Sequence, residues 1–436
     1  MVFRKTRHLL LMIFLLLSAS TAQLAGTASD PLRRFIINGN SKVLERARNL
    51  LGGALLDVID DDTHVIAVNS NTQAQFIEAV AKALGLTIEE DQIVRLPRGR
   101  QTAGTARNPR RSVRKTVNYF GTTAPTDYVN QVAAQKLRLS DSQKYATGRR
   151  AVVAIIDTGI DPNHPVLKNS LLRGRNYVGR SNDPAEWNDY TFDQGQDFAF
   201  LLDQGQDFAF LLDQGQDFAF LLDAQHPMFG HGTMVAGLVH LVAPDAMIMP
   251  LKAFDATGAT TVSNLVRAIH DAVNDGADVI NMSFSGETNS RQLENALGWA
   301  RSRGVLIVAS TGNDNSTKDM FPASLDDAIA VTSLNLEDDR KLSYANYGRY
   351  VDMSGPGAGL ITTFPGTFAV VGGTSFTPPL VAGELLMLNE LNVTGNKARR
   401  VAEDTADNVD AANKGLPRGV LGGKLDILEA VRTAGR

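Results

Sequence analysis

The order of apolar and polar segments predicts an α/β protein: a parallel sheet with helices on both faces, preceded by a small ferredoxin-like α+β domain. Two observations carry this. From about residue 150 onward, short apolar runs alternate with amphipathic helical stretches, the pattern of strands buried on both faces of a parallel sheet. Residues 30–97 instead read β-α-β-β-α-β, the order of a ferredoxin-like unit. A third observation separates the two. Residues 98–127 are rich in Arg, Gly, Thr and Pro, with Arg98, Arg100, Arg107, Arg110, Arg111, Arg114 and Lys115 close together, as in a solvated, protease-accessible linker.

Taken in order, the chain begins with a basic start at Arg4, Lys5 and Arg7. The apolar run Leu9 to Leu17 and the small residues Ser20-Thr21-Ala22 follow. This predicts a secretory signal peptide over residues 1–22, hence a secreted, extracellular or periplasmic protein. The run is too short to span a bilayer, which needs about 20 residues, so no stable membrane insertion is expected. In the small domain, Arg34 to Ile37, Leu55 to Ile59, His64 to Val68 and Gln92 to Leu96 read as strands. Lys42 to Leu51 and Asn71 to Leu84 read as helices, and Asp60-Asp61-Asp62 as an acidic turn. In the large domain, 128–436, strands are expected at Ala151 to Ile156, Met247 to Ala253, Asp278 to Phe284, Val305 to Ala309 and Ala328 to Thr332. Helices are expected at Val262 to Asn274 and Arg291 to Arg303, the second stopping at Gly304. Residues 193–222 are three identical copies of Asp-Gln-Gly-Gln-Asp-Phe-Ala-Phe-Leu-Leu. Three ten-residue units bury little and match none of the common solenoid periods, so they read as a duplicated surface insertion rather than a repeat domain.

Composition bounds the function. The 436 residues are 43% hydrophobic and 21% charged, which suits two or three globular domains. A formal charge of -4 gives no sign of a nucleic-acid partner. Without cysteine the chain has no disulfide, no thiol nucleophile and no Cys-based metal site.

Three segments carry chemistry. Ile155-Ile156-Asp157-Thr158-Gly159 is a buried strand ending on an acid. His231-Gly232-Thr233-Met234-Val235-Ala236-Gly237 is a histidine opening a helix. Gly373-Thr374-Ser375-Phe376-Thr377-Pro378-Pro379 places a serine at the start of another helix. Alone, each has a plain structural reading: a strand-end acid is usually a turn residue, and a Gly-Thr-Ser is usually a loop. Of seven histidines only His231 has the Gly-Thr context, and a metal pair with His226 lacks carboxylates at ligand spacing. Together, in the order Asp, His, Ser, the segments resemble the subtilisin-like (S8) serine protease family over residues 150–436. Residues 30–97 also look like that family's inhibitory propeptide.

The resemblance implies a subtilisin-like fold and a self-processing zymogen acting on polypeptide substrates, with its own propeptide as intramolecular inhibitor. It implies a triad of Ser375 as nucleophile, His231 as base and Asp157 as the residue that orients the imidazole. Ser310-Thr311-Gly312-Asn313 resembles the family's oxyanion segment, giving Asn313 a side-chain donor role. Ser283-Phe284-Ser285-Gly286 resembles the edge that pairs with substrate backbone. The sequence departs from the family at Met234 (commonly His), Phe376 (commonly Met), Thr377-Pro378 (commonly Ala-Thr) and Ser285 (commonly Gly). Phe376 and Pro378, larger or stiffer, bear on the placement of the serine helix. Val239 to Pro244 runs straight on where many relatives insert a calcium loop, so that calcium site is expected to be absent. The chemistry itself requires no cofactor, other structural calcium stays open, and a monomer is expected. Two rivals share these observations: a non-catalytic secreted binding protein of the same fold, and an esterase. The latter lacks its Gly-x-Ser-x-Gly elbow here.

Overall fold

A computed structural model of the chain describes residues 33–44, 54–68, 71–96, 115–189, 228–287 and 289–436. The expected signal peptide, much of the expected helix over residues 42–51, most of the basic linker, His226 and the repeat 193–222 lie outside the described residues. The chain divides into two units, one ending at Glu90 and the other starting at Asp91.

The first unit holds a four-stranded antiparallel sheet in the order Ala54–Asp60, Thr63–Val68, Arg33–Asn38, Thr87–Glu90. The helix Asn71–Leu84 covers one face, burying Ala74, Ile77 and Ala81 with Phe35, Ile37, Ile66 and Val68. Its last strand corrects the sequence reading. Thr87–Glu90 closes this sheet, whereas Ile93–Arg95 pairs antiparallel with Ala259–Thr261 in the second unit. The β-pattern of Ile93-Val94 is real, but its partner lies far along the chain and leaves no local signal. Asp91 marks the change of unit: its carboxylate accepts the Ser263 N–H and the Ser263 hydroxyl, both at 2.8 Å.

The second unit is built on a nine-stranded sheet. Its order is Asp407–Asn408, Gly423–Lys424, Met353–Pro356, Ile329–Leu334, Leu306–Ser310, Val279–Met282, Val152–Asp157, Met247–Lys252, Arg175–Asn176. All neighbours run parallel except the first pair. The central strands bury Val153, Ile155, Ile156, Val279, Ile280, Ile307, Val308 and Val331, as a sheet covered on both faces requires. The expected strands appear with ends moved by a few residues, and the expected helices appear at Val262–Asn274 and Arg291–Ser302. Thr261 and Ser290 cap them, accepting the N–H groups of Asn264 and Leu293.

Two further helices matter most. The histidine helix, His231–Val242, is buried along its whole length, and the serine helix, Pro378–Glu390, is buried through Leu388. They pack on each other. At Gly383 a Cβ would stand 2.6 Å from the Val242 Cβ, so only glycine permits this approach. The aspartate strand, Val152–Asp157, runs beside Met247–Lys252 with Asp157 opposite Lys252. Asp157, Lys252 and Ser310 all end parallel strands, so the fold gathers them at the carboxyl edge of the sheet, where such folds place their sites.

Candidate active site

Asp157 is 1% exposed at the end of its strand, and its carbonyl accepts the N–H groups of Ala253 and Phe254. Its Oδ1 lies 2.7 Å from His231 Nδ1 and also accepts the Thr158 N–H at 2.7 Å. A carboxylate can only accept, so Nδ1 carries the proton and Nε2 is left as the basic nitrogen. Burial alone would depress the imidazole pKa. The charge and hydrogen bond of Asp157, with Glu186 behind them, outweigh burial and raise it above the usual histidine range.

Ser375 sits in the single turn Thr374–Phe376 that leads into the serine helix. Its carbonyl accepts the Ser283 hydroxyl at 2.7 Å, and Ser283 in turn accepts the Asn281 amide at 2.9 Å. Among the described residues the Ser375 hydroxyl has no hydrogen bond to His231. Nucleophile and base in a substrate-free site commonly stand further apart than in the working complex. Phe376, the next residue, packs on His231 with ring centroids 5.5 Å apart, so the segment bearing Ser375 lies against the imidazole. Pro378 and Pro379 fall in the first turn of the serine helix, where missing N–H groups cost nothing. The departure at Pro378 is thus accommodated at the start of a regular helix, and Phe376 ends the turn before it.

Asn313 faces the same turn. Its Oδ1 accepts the backbone N–H and the hydroxyl of Thr374, both at 2.9 Å. With its oxygen engaged on that side, the amide Nδ2 is left as the outward donor. Gly373, at φ 151°, brings the backbone close enough that a Cβ there would stand 3.8 Å from this nitrogen. Thr374 Oγ1 also accepts the Ser310 hydroxyl and the Gly312 N–H, at 2.9 and 3.2 Å. Asn346, fully buried, accepts the N–H groups of Asp314 and Ser316 and donates to the Thr311 carbonyl at 2.8 Å, shaping the loop that carries Asn313.

The segment Ser283 to Gly286 divides in two. Phe284 points into the core against Phe254, at 4.9 Å between centroids, and Ser285 is buried beside Gly312. Gly286 exchanges both backbone hydrogen bonds with Phe321, at 2.8 Å each. Its polar groups are therefore engaged, and only Ser283 to Ser285 could offer backbone to an added strand. Ala259–Thr261 is paired antiparallel with Ile93–Arg95, and Leu96 donates its N–H to the Gly258 carbonyl at 2.8 Å. Gly258 abuts Met228, whose carbonyl accepts the His231 N–H. The carboxyl end of residues 93–96 thus lies near the turn that leads into His231.

Sequence reasoning missed Glu186, Lys252, Thr374 and Asn346. Among the described residues no cluster of three or more His, Asp and Glu is disposed to hold a metal ion.

Comparison with known proteins agrees with this geometry. Residues 148–420 match the subtilase family, Peptidase S8. A thermophilic serine proteinase of Bacillus sp. (strain AK1) is 30% identical over 270 residues, 62% of this chain and 59% of that protein. Thermitase of Thermoactinomyces vulgaris is 29% identical over 290 residues, 64% of this chain and 89% of that protein. The chain therefore spans less than two thirds of the first and most of the second. Among solved structures, proteases from Pseudoalteromonas arctica align with TM-score 0.55 and 24% identity over 68% of this chain and 94% of theirs, a likeness of fold.

Proposed function

The chain belongs to the subtilase family, Peptidase S8, and from that premise we propose that it is a serine endopeptidase working through Asp157, His231, Ser375 and Asn313. The observation that carries the proposal is the buried Asp157–His231 pair at 2.7 Å, set against the turn that bears Ser375. His231 Nε2 takes the Ser375 proton as the hydroxyl attacks a peptide carbonyl, and later delivers it to the leaving amine. An acyl-enzyme forms, and water releases it by the same steps in reverse. Negative charge on the carbonyl oxygen falls to Asn313 Nδ2 and the backbone at the head of the serine helix. Removing one such donor costs about 10²–10³-fold in turnover. The substrate is an extended polypeptide lying between Ser283 to Ser285 and Ala259–Thr261.

The same reading covers the precursor. Residues 30–97 form an inhibitory propeptide, cleaved in or before the basic linker, of a protein exported by its first 22 residues. The pairing of Ile93–Arg95 with Ala259–Thr261 supports this, because it occupies the strand a substrate would use. Among the described residues no helix is long and apolar enough to cross a membrane.

A fluorophosphonate label followed by peptide mass mapping tests the reading. Stoichiometric labelling at Ser375, lost in Ser375→Ala, is the expected result. A folded, processed wild type that takes no label would move the chain to the non-catalytic binding proteins.

A further inference from the structure

Glu186 lies in the short helical turn Glu186–Asp189 and is 1% exposed. Both of its oxygens are directed at the start of the histidine helix. Oε2 accepts the Gly230 N–H at 3.2 Å, and Oε1 accepts the Thr233 N–H at 3.0 Å and the Thr233 hydroxyl at 3.1 Å. Thr158 Oγ1, on the loop after Asp157, accepts the Gly232 N–H at 2.9 Å. Its backbone is tied to the aspartate loop as well: Glu186 donates its N–H to the Ile160 carbonyl, and Ile160 donates to the Pro184 carbonyl, each at 3.0 Å. Gly159, at φ 125°, is what allows this, since a Cβ there would stand 2.5 Å from the Pro184 carbonyl oxygen. One side chain thus joins the loop after Asp157 to the helix that begins at His231.

The charges around it are few and can be named. Lys252 is fully buried; its ammonium meets Asp189 at 2.7 Å and the carbonyls of Thr158 and Phe254. Asp157 and His231 lie on the other side. Asp161 reaches Thr233 through its backbone, donating its N–H to the Thr233 hydroxyl at 2.9 Å. Burial lifts the Glu186 carboxyl above its usual range, opposed by Lys252 and the Thr233 N–H. Gly230 and Thr233 meet its oxygens only with donors, so the site is built for the carboxylate. A negative charge at a helix start is also favoured by the unsatisfied N–H groups there.

We propose that Glu186 is a positioning residue for the hydrolytic reaction: a second buried carboxylate that fixes the His231 helix against the Asp157 loop and supports the imidazolium formed during turnover. This rests on the protease reading of the site. Asp157 orients the ring through Nδ1, and Glu186 fixes the backbone that carries the ring. Lys252, itself paired with Asp189, offsets part of the Glu186 charge.

The test compares Glu186→Gln, Glu186→Asp and Lys252→Met in the full chain after processing. A carboxylate that supports the imidazolium predicts that Glu186→Gln lowers the acid-side midpoint of the kcat/KM profile by about half a pH unit or more. Glu186→Asp, which keeps the charge, restores the midpoint even where kcat stays low. Lys252→Met moves the midpoint the other way, upward. A purely structural role would lower kcat in all three and leave the midpoint in place, and that result overturns the proposal. Should Glu186→Gln fail to fold, the Lys252→Met arm decides, an unmoved or lowered midpoint counting against the proposal. The same substitutions in a Ser375→Ala chain, with the proton between His231 and Asp157 followed by NMR, give the His231 midpoint without turnover. A wild type that hydrolyses nothing would sink the protease reading, while the NMR midpoint still judges Glu186.

Discussion

The two halves of the site are held by different forces. On the histidine side, Asp157, His231, Glu186 and Lys252 are buried ionisable groups, with the partly exposed Asp189 paired to Lys252. On the serine side, Ser283, Ser310, Asn313, Asn346 and Thr374 are joined only by neutral hydrogen bonds. In the proposed reaction the first half changes charge in every cycle, and fixed neighbouring charges tune a proton transfer. The second half must present fixed dipoles to a charge that appears only transiently, and preorganised neutral donors do this without titrating. One half should therefore answer to pH and the other to geometry.

The largest effect is expected from Asp157→Asn, which removes the acceptor that sets the His231 tautomer. A fall of about 10⁴-fold in kcat is expected, measured on a peptide substrate at saturating concentration. Next comes Asn313→Ala, with a loss of about 10²–10³-fold in kcat and little change in KM. Its pH profile should superimpose on the wild type after scaling. A shifted acid limb in Asn313→Ala would erase the distinction between the halves. The wild-type limb itself has a predicted direction. His231 must be neutral to act as base and its pKa is raised, so kcat/KM should fall through a midpoint above the ordinary histidine value of 6.5 as pH drops.

The same contrast extends to the two buried helices, each of which carries one ionisable group without a hydrogen bond among the described residues. On the serine helix, Glu384 is fully buried and its carboxyl is pushed up to about 8. Its folded pKa lies above its unfolded 4.5, so its stability contribution is complete below 4.5 and is lost progressively as pH rises from there to about 8. Glu384→Leu should then add on the order of 3 kcal/mol at pH 7, read as a higher denaturation midpoint. On the histidine helix, His240 is buried against Tyr119 and pushed down to about 4. Its folded pKa lies below its unfolded 6.5, so stability is lost as pH falls from 6.5 toward 4. His240→Leu should flatten that acid decline, by up to about 3 kcal/mol near pH 4. Neither change should alter kcat by more than a few-fold at neutral pH; a larger loss would mean these groups reach the site.

Much of this was legible in the sequence. Continuous apolar runs such as Ala151 to Ile156 announce strands buried on both faces, and the acid, the helix-opening histidine and the serine before two prolines stand out by their contexts. What was not legible is whatever depends on pairing across long separations. Ile93–Arg95 has a strand's composition, yet its partner at Ala259–Thr261 lies far along the chain. Glu186 sits in Pro-Ala-Glu-Trp, which has no periodicity and no motif. Only its hydrogen bonds to residues 44 and 47 positions away reveal its part. Asn346 is hidden likewise, since a buried amide that holds a loop reads like any loop asparagine.

The most direct measurement follows chain mass and casein hydrolysis over time for the wild type and for Ser375→Ala, both expressed from the full sequence. The account predicts that the wild type shortens by the length of its N-terminal region and digests casein, while Ser375→Ala stays full length and inert. A Ser375→Ala chain that shortens by itself and digests casein at the wild-type rate would contradict it.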